Sequence, residues 1–170
     1  GAKILPPYHA AEGSDWYRGN ADAVLQNLPY LRDHETEIAL ILSGDHIYSM
    51  DYRELILHHL EKSADVTVAF KRMDHADRRF GWGQLDAQGR LIGYEEKPAK
   101  PSSELASLTI YVFNMEVLAD VLQRLREHDS IEFGRDVLPA ILDEYRVFGY
   151  EFTDYWAYTR TVDAYYQAHE

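Results

Sequence analysis

Two short stretches of this chain combine residue types that can do chemistry at a fixed place. Gly44-Asp45-His46 follows directly on the apolar run Ile38-Ala39-Leu40-Ile41-Leu42, and Glu96-Lys97-Pro98 closes a second segment of strand-like character. A carboxylate just past the carboxyl end of a buried strand lies where open α/β sheets bind ligands, and it can reach a metal-bound phosphate. Gly44 and Asp45 read equally well as a turn that caps the next helix. Pro98 removes a backbone donor and fixes the exit direction, which leaves an acid and an ammonium side by side. Lys97 can then neutralise a phosphate while Glu96 accepts sugar hydroxyls; the same residues also read as a solvated charge pair in a loop. A third stretch, Trp16-Tyr17-Arg18-Gly19-Asn20, leads into a helix with Asn20 as candidate N-cap. Backbone amides at such a start can hold a phosphate or a base edge, or simply begin a capped helix. His58 and His59 point about 100° apart on their helix and make a poor chelating pair.

These residues need elements to position them. The Ile38–Leu42 run lacks period-two alternation, which predicts a central strand of a parallel sheet covered on both faces. Ser49 or Asp51 caps a helix with Tyr52, Leu55, Ile56, His59 and Leu60 on one face, and Val66–Phe70 is the next strand. Strand, helix and strand in this order predict a right-handed crossover with parallel strands. The character then turns antiparallel: Gly81–Leu85, a turn at Asp86–Gly89, and a return strand over 90–97 form a β-hairpin. A strand over 105–113 precedes an amphipathic helix from Met115 to Arg126. A further helix carries Val137, Leu138, Ile141 and Leu142 with Pro139 in its first turn, residues 146–152 alternate like an edge strand, and Thr161 caps a last helix. Residues 1–15 read as a loop with a short strand remnant at Lys3–Leu5. The reading is an α/β chain, a single domain over 1–170, with a mixed, mostly parallel sheet flanked by helices and a β-hairpin insertion.

Composition narrows the partners. At 170 residues and 46% hydrophobic content the chain can bury a core, and without cysteine it has neither a disulfide framework nor a thiolate metal site or nucleophile. The formal net charge of -12 argues against a nucleic-acid backbone or an anionic membrane as partner. No apolar run reaches the roughly 20 residues needed to span a bilayer, and there is no signal-peptide pattern, so a cytoplasmic location is expected. An anionic small substrate would need local basic groups or a divalent cation.

Taken in order, Trp16-Tyr17-Arg18-Gly19-Asn20-Ala21-Asp22-Ala23, Gly44-Asp45-His46-Ile47-Tyr48, Phe80-Gly81, Glu96-Lys97-Pro98, Leu105-Ala106-Ser107, Ile110-Tyr111-Val112-Phe113 and Phe133-Gly134-Arg135-Asp136 resemble glucose-1-phosphate adenylyltransferase, or ADP-glucose pyrophosphorylase. Each motif alone is nonspecific among sugar nucleotidyltransferases; the set points to the adenylyl member. The resemblance implies a partial Rossmann-like, GT-A-like nucleotidyltransferase domain, joining glucose 1-phosphate to ATP to give ADP-glucose and pyrophosphate with Mg²⁺ in glycogen or starch synthesis. It implies Asp45 as the metal-associated carboxylate and Lys97 as the phosphate partner, the two catalytic assignments. Glu96 and Lys97 would belong to the sugar-phosphate site, Gly81 and Ser107 would line the sugar pocket, and Trp156 would stand at its sugar end. Tyr17, Gly19 and Asn20 would lie near the nucleotide.

The chain departs from the family pattern in four places. The resemblance implies a glycine-rich loop before Trp16 that cradles the ATP phosphates and a carboxy-terminal β-helix, and neither is among these 170 residues. After Tyr155-Trp156, Tyr158 stands where the family carries its second metal-binding aspartate, and a phenol is a far poorer Mg²⁺ ligand than a carboxylate. Thr109 stands where the family commonly has glycine, crowding the sugar pocket. The expectation is a fragment with weak or no activity alone; the alternative is a non-catalytic regulatory or assembly subunit that binds sugar phosphate or nucleotide sugar. A sheet edge left open beside Ile38–Leu42 predicts a homo-oligomer, or pairing with a related catalytic subunit.

Overall fold

The computed structural model describes residues 2–7, 16–44, 46–48, 50–75, 77–153 and 156–158, with backbone alone for 46–48 and 156–158. Asp45, Ser49 and Thr161 therefore lie outside the described residues, as do the side chains of Trp156 and Tyr158. The elements run α1 (Asn20–Gln26), α2 (Leu28–Arg32), β1 (Ile38–Ile41), β2 (His46–Tyr48), α3 (Tyr52–Glu61), β3 (Val66–Arg72), β4 (Gly81–Leu85), β5 (Leu91–Glu96), β6 (Leu105–Asn114), α4 (Met115–Leu125), a π-turn (Phe133–Val137), α5 (Leu138–Ile141), β7 (Val147–Glu151) and β8 (Trp156–Tyr158).

The organising strand is β6. Its ten residues are rich in β-branched and aromatic side chains, and all but Thr109 and Asn114 are buried. Alternate residues feed two cores. Leu105, Tyr111 and Phe113 pack with α1, α4 and α5 on one face, while Leu108, Ile110 and Val112 pack with Leu55 of α3 and Phe152 on the other. The main sheet runs β5-β4-β6-β3-β7, with β1 also paired to β6; β2 and β8 form a separate pair. Along β6, β4 holds the amino-terminal part of one edge through Trp82↔Ala106 and Gly83↔Leu105. β1 holds the carboxy-terminal part, from Ile41↔Tyr111 to Ile38↔Asn114.

This corrects the expected sheet. It is mostly antiparallel: among the described residues β3 and β7 are the parallel pair, Val66↔Val147 through Phe70↔Glu151. β1 and β3 do run in the same direction, but β6 lies between them and antiparallel to both. Ile38–Leu42 is accordingly not the doubly covered central strand: its four β-residues are half-buried and Leu42 is 43% exposed. The apolar run marked a strand, and pairing set its place.

Several local expectations hold. Asp51 caps α3 by accepting from the Arg53 N–H at 2.9 Å. The hairpin turn is tied by Asp86, whose carboxylate accepts from Gln88 and Arg90 N–H, with Gly89 at φ +84°. Pro139 sits in the first turn of α5. Lys3–Leu5 is not a strand; that segment lies against the chain through the Tyr17 hydroxyl, which donates to Leu5 O at 2.7 Å.

Asn20 does not cap its own helix. Gly19 does, at φ +112°, where a β-carbon would collide with the Ile131 carbonyl. The Asn20 side chain instead accepts from Phe133 N–H at 2.9 Å, at the start of the π-turn. Reciprocal backbone bonds, Ile131 N–H to Arg18 O and Ala21 N–H to Ile131 O, complete this clasp.

Candidate functional site

At the end of the sheet where β4, β5 and β6 meet the π-turn lies a cleft of about 110 Å³. It gathers Asn20, Gly81, Glu96, Lys97 and Ser107, all singled out by sequence, together with Ser43, the residue before Gly44. Tyr17 and Gly19 are not in its lining. Tyr17 accepts from Asn27 and donates to Leu5 O, and Gly19 packs on Ile131, so both support the wall behind Asn20.

The Glu96 carboxylate is engaged at both oxygens. The Tyr94 hydroxyl donates to its Oε2 at 3.1 Å, and Lys97 Nζ stands 3.4 Å from Oε1. A β-carbon on Gly134 would run into that carboxylate, and one on Gly81 into the Tyr94 hydroxyl. Two glycines from distant parts of the chain thus leave the room that Glu96 and Tyr94 occupy. Glu96 is 26% exposed and Lys97 56%, so the acid is seated and the ammonium reaches outward.

Beneath them Ser107 is 3% exposed, and its hydroxyl accepts from Thr109 N–H at 3.3 Å. Burial pushes the phenols of Tyr94 and Tyr111 far above their usual range, although a hydrogen bond to Ser107 opposes the shift in each. Both phenols remain protonated donors at neutral pH. Tyr111 is further fixed by stacking on Phe133 at 5.2 Å between centroids. Lys97 and Thr109, both in the lining, have left-handed backbones at φ 47° and 56°.

Sequence reasoning missed four lining residues. Arg79 brings a second cation, forked onto Asp77 with Nε–Oδ2 at 2.9 Å and packed over the Phe80 ring. That pairing holds the Asp77 carboxyl below its usual range. Its signal was available in Asp77-x-Arg79 immediately before Phe80-Gly81. Glu132 and Tyr94 had none, because only tertiary packing turns them to the cleft, whereas Tyr111 stood in the Ile110-Tyr111-Val112-Phe113 motif without an assigned role.

The histidine pair does not chelate. His59 is buried between Thr67 Oγ1 at 2.8 Å and Asn114 Oδ1 at 3.0 Å, while His58 packs edge-on against Tyr150. Among the described residues no group of three histidines, aspartates or glutamates is arranged to hold a metal. The chemistry of the described cleft is read from its own side chains: an ammonium and a guanidinium for an anion, and a seated carboxylate with a serine hydroxyl for a polyol.

The profile of the family named "Nucleotidyl transferase" matches residues 6–170. The chain belongs to the nucleotidyl transferase family. Curated proteins named glucose-1-phosphate adenylyltransferase are similar to this nucleotidyl transferase over 99% of its length: 46% identical in Thermotoga maritima, 42% in Bacillus cereus and 40% in Lachnospira eligens. The match covers 41%, 46% and 40% of those proteins respectively. This nucleotidyl transferase thus spans less than half the length of the relatives it matches. No helix among its described residues is long and apolar enough to cross a membrane.

Proposed function

We propose that the cleft is the sugar-phosphate site of a cytoplasmic glucose-1-phosphate adenylyltransferase, in which glucose 1-phosphate and ATP give ADP-glucose and pyrophosphate. The observation that carries this reading is Glu96 and Lys97 side by side in one cleft, the carboxylate fixed by Tyr94 and the ammonium turned outward. Glu96 accepts sugar hydroxyls, Ser107 offers a further polar contact, and Lys97 pairs with the phosphate. A phosphate oxygen of the sugar then attacks the α-phosphorus of ATP; the new P–O bond forms as the α–β anhydride breaks and pyrophosphate leaves. Lys97 lowers the charge repulsion between the two anions and holds the nucleophile in place. Asn20 stands on the cleft wall where the nucleotide side is proposed. Bound Mg²⁺ would neutralise the phosphates, with Asp45 as the proposed ligand.

Calorimetry with glucose 1-phosphate tests the site. Binding is expected to weaken at least tenfold in Lys97→Ala and in Glu96→Gln, and a chain that gives no heat with this ligand would refute the reading. Tyr158 favours a second reading, in which the domain binds the sugar phosphate or nucleotide sugar without catalysing transfer and works beside an active subunit. Pyrophosphate release from ATP, glucose 1-phosphate and Mg²⁺ separates the two, with Asp45→Asn as control: binding without release favours the second.

A further inference from the structure

Lys97 shares the cleft lining with a second cation, Arg79. The two arrive from neighbouring strand ends: the Lys97 N–H donates to Phe80 O at 3.2 Å, one pair beyond Gly81↔Glu96. Arg79 precedes Phe80 in a turn whose base is fixed. The Asp77 carbonyl accepts from the Phe80 N–H and, at 3.1 Å, from the indole N–H of Trp82, and both rings are buried in a cluster with Ala106. The Asp77 carboxylate closes the turn on the Arg79 N–H at 2.9 Å and also takes the guanidinium, with Nε 2.9 Å from Oδ2. The guanidinium lies over the Phe80 ring, 5.7 Å from its centroid, which adds a second hold on its plane. A long side chain held in this way loses less freedom when it meets a ligand.

Asp77 grips Nε and Nη2, and a guanidinium carries five donors, more than this one carboxylate engages. The Asp77 side chain is set back at 13% exposed and is not part of the cleft lining, whereas Arg79 is 51% exposed. Charge balance points the same way. Glu96 and Glu132 also line the cleft, so Lys97 by itself would leave an excess of acid on its wall, in a chain of formal net charge -12. Lys97 is in part committed to Glu96, 3.4 Å away. A phosphate is drawn to such a wall only where a second cation offsets the carboxylates. We propose that Arg79 is a second phosphate-binding residue of this cleft, its guanidinium held by Asp77 so that it and Lys97 together take the phosphate of the sugar phosphate. This assignment rests on the sugar-phosphate reading of the cleft and gives the phosphate a planar, multiply donating partner that an ammonium does not supply.

The test is calorimetry with glucose 1-phosphate and, separately, with ATP on the parent chain, Arg79→Gln, Arg79→Lys, and Asp77→Asn combined with Arg79→Gln. Loss of a charge-assisted contact weakens binding about tenfold to a hundredfold, and solvent around a half-exposed guanidinium puts Arg79 at the low end. Arg79→Gln is therefore expected to weaken glucose 1-phosphate about tenfold. Arg79→Lys keeps the charge but not the fork and should lose less; because it leaves Asp77 paired, it reports even where Arg79→Gln folds poorly. The double variant separates a ligand contact from a structural pair. It leaves no unpaired acid, so a guanidinium that served Asp77 alone would not be missed there. The double variant is expected to stay about as weak as Arg79→Gln; recovery of the parent's affinity would overturn the proposal. A loss for ATP as large as that for glucose 1-phosphate would assign Arg79 to the nucleotide phosphates and also overturn it. If every Arg79 form binds glucose 1-phosphate like the parent while Lys97→Ala does not, this inference fails and the sugar-phosphate site stands. If no form, the parent included, binds glucose 1-phosphate, the sugar-phosphate reading falls and takes this inference with it.

Discussion

Glu96 accepts one hydrogen bond from Tyr94 and has Lys97 beside it, yet what defines its position is the absence of side chains at Gly81 and Gly134. Gly134→Ala would drive a methyl into the carboxylate and against the Tyr94 hydroxyl. Such overpacking typically costs about 1–3 kcal/mol, and Glu96 can yield only by leaving its seat. Melting and calorimetry on this variant should show a modest loss of stability with a loss of glucose 1-phosphate binding of at least tenfold; unchanged affinity would mean that Glu96 does not need this seat. The Glu96–Lys97 pair was legible in sequence because a proline at a strand end isolates it from the strand ladder. Tyr94 was not, since nothing in Tyr94-Glu95-Glu96 says which face of β5 meets the π-turn. The left-handed backbone at Thr109 and Lys97 was equally invisible, because neither residue type advertises a positive φ.

At the scale of elements, α3 covers the second core through Leu55 and sets His58 edge-on to Tyr150 in β7. His58 Nε2 is buried without a hydrogen-bond partner among the described residues. Burial holds its pKa below the ordinary value, against an opposing hydrogen bond with the Gly149 backbone. The folded state therefore keeps His58 neutral where the unfolded chain, with an ordinary value of about 6.5, takes up a proton. The stability linked to this group is present above that value and declines as pH falls through it toward the lower folded value. Melting curves measured from about pH 7.5 down to about pH 5, a range that brackets the ordinary value of about 6.5, should fall more steeply for the parent than for His58→Phe. Parallel curves would show that another group governs the acid slope. Most elements were legible, because periodicity and caps such as Asp51 are local signals. Strand order was not: Ile38–Leu42 reads as a buried strand whichever neighbours it has, and only the ten-residue length of β6 lets one strand pair with β1, β3 and β4 at once.

For the whole molecule, the open side of β1 carries the main intermolecular consequence. Among the described residues β1 pairs with β6 alone, over Ile38–Ile41, and Leu42 stands 43% exposed at its end. An unpaired edge beside an exposed leucine is a template for a second chain. Sedimentation is expected to show apparent mass rising with concentration, and Leu42→Lys should suppress the rise; a constant monomer mass at high concentration would contradict it. The clasp between the start of α1 and the π-turn has a different consequence, one of timing. The Asn20–Phe133 bond joins residues 113 apart in sequence, and the bonds of Arg18 and Ala21 with Ile131 span a similar separation. Contacts this remote reward the chain only after the entropy of closing the intervening loop has been spent. The sheet around β6 can assemble earlier from its own hairpin and neighbouring strands. During refolding the wall formed by Asn20, Glu132 and Gly134 then closes last, and the ability to hold a ligand returns after the rest of the fold already has its native signal.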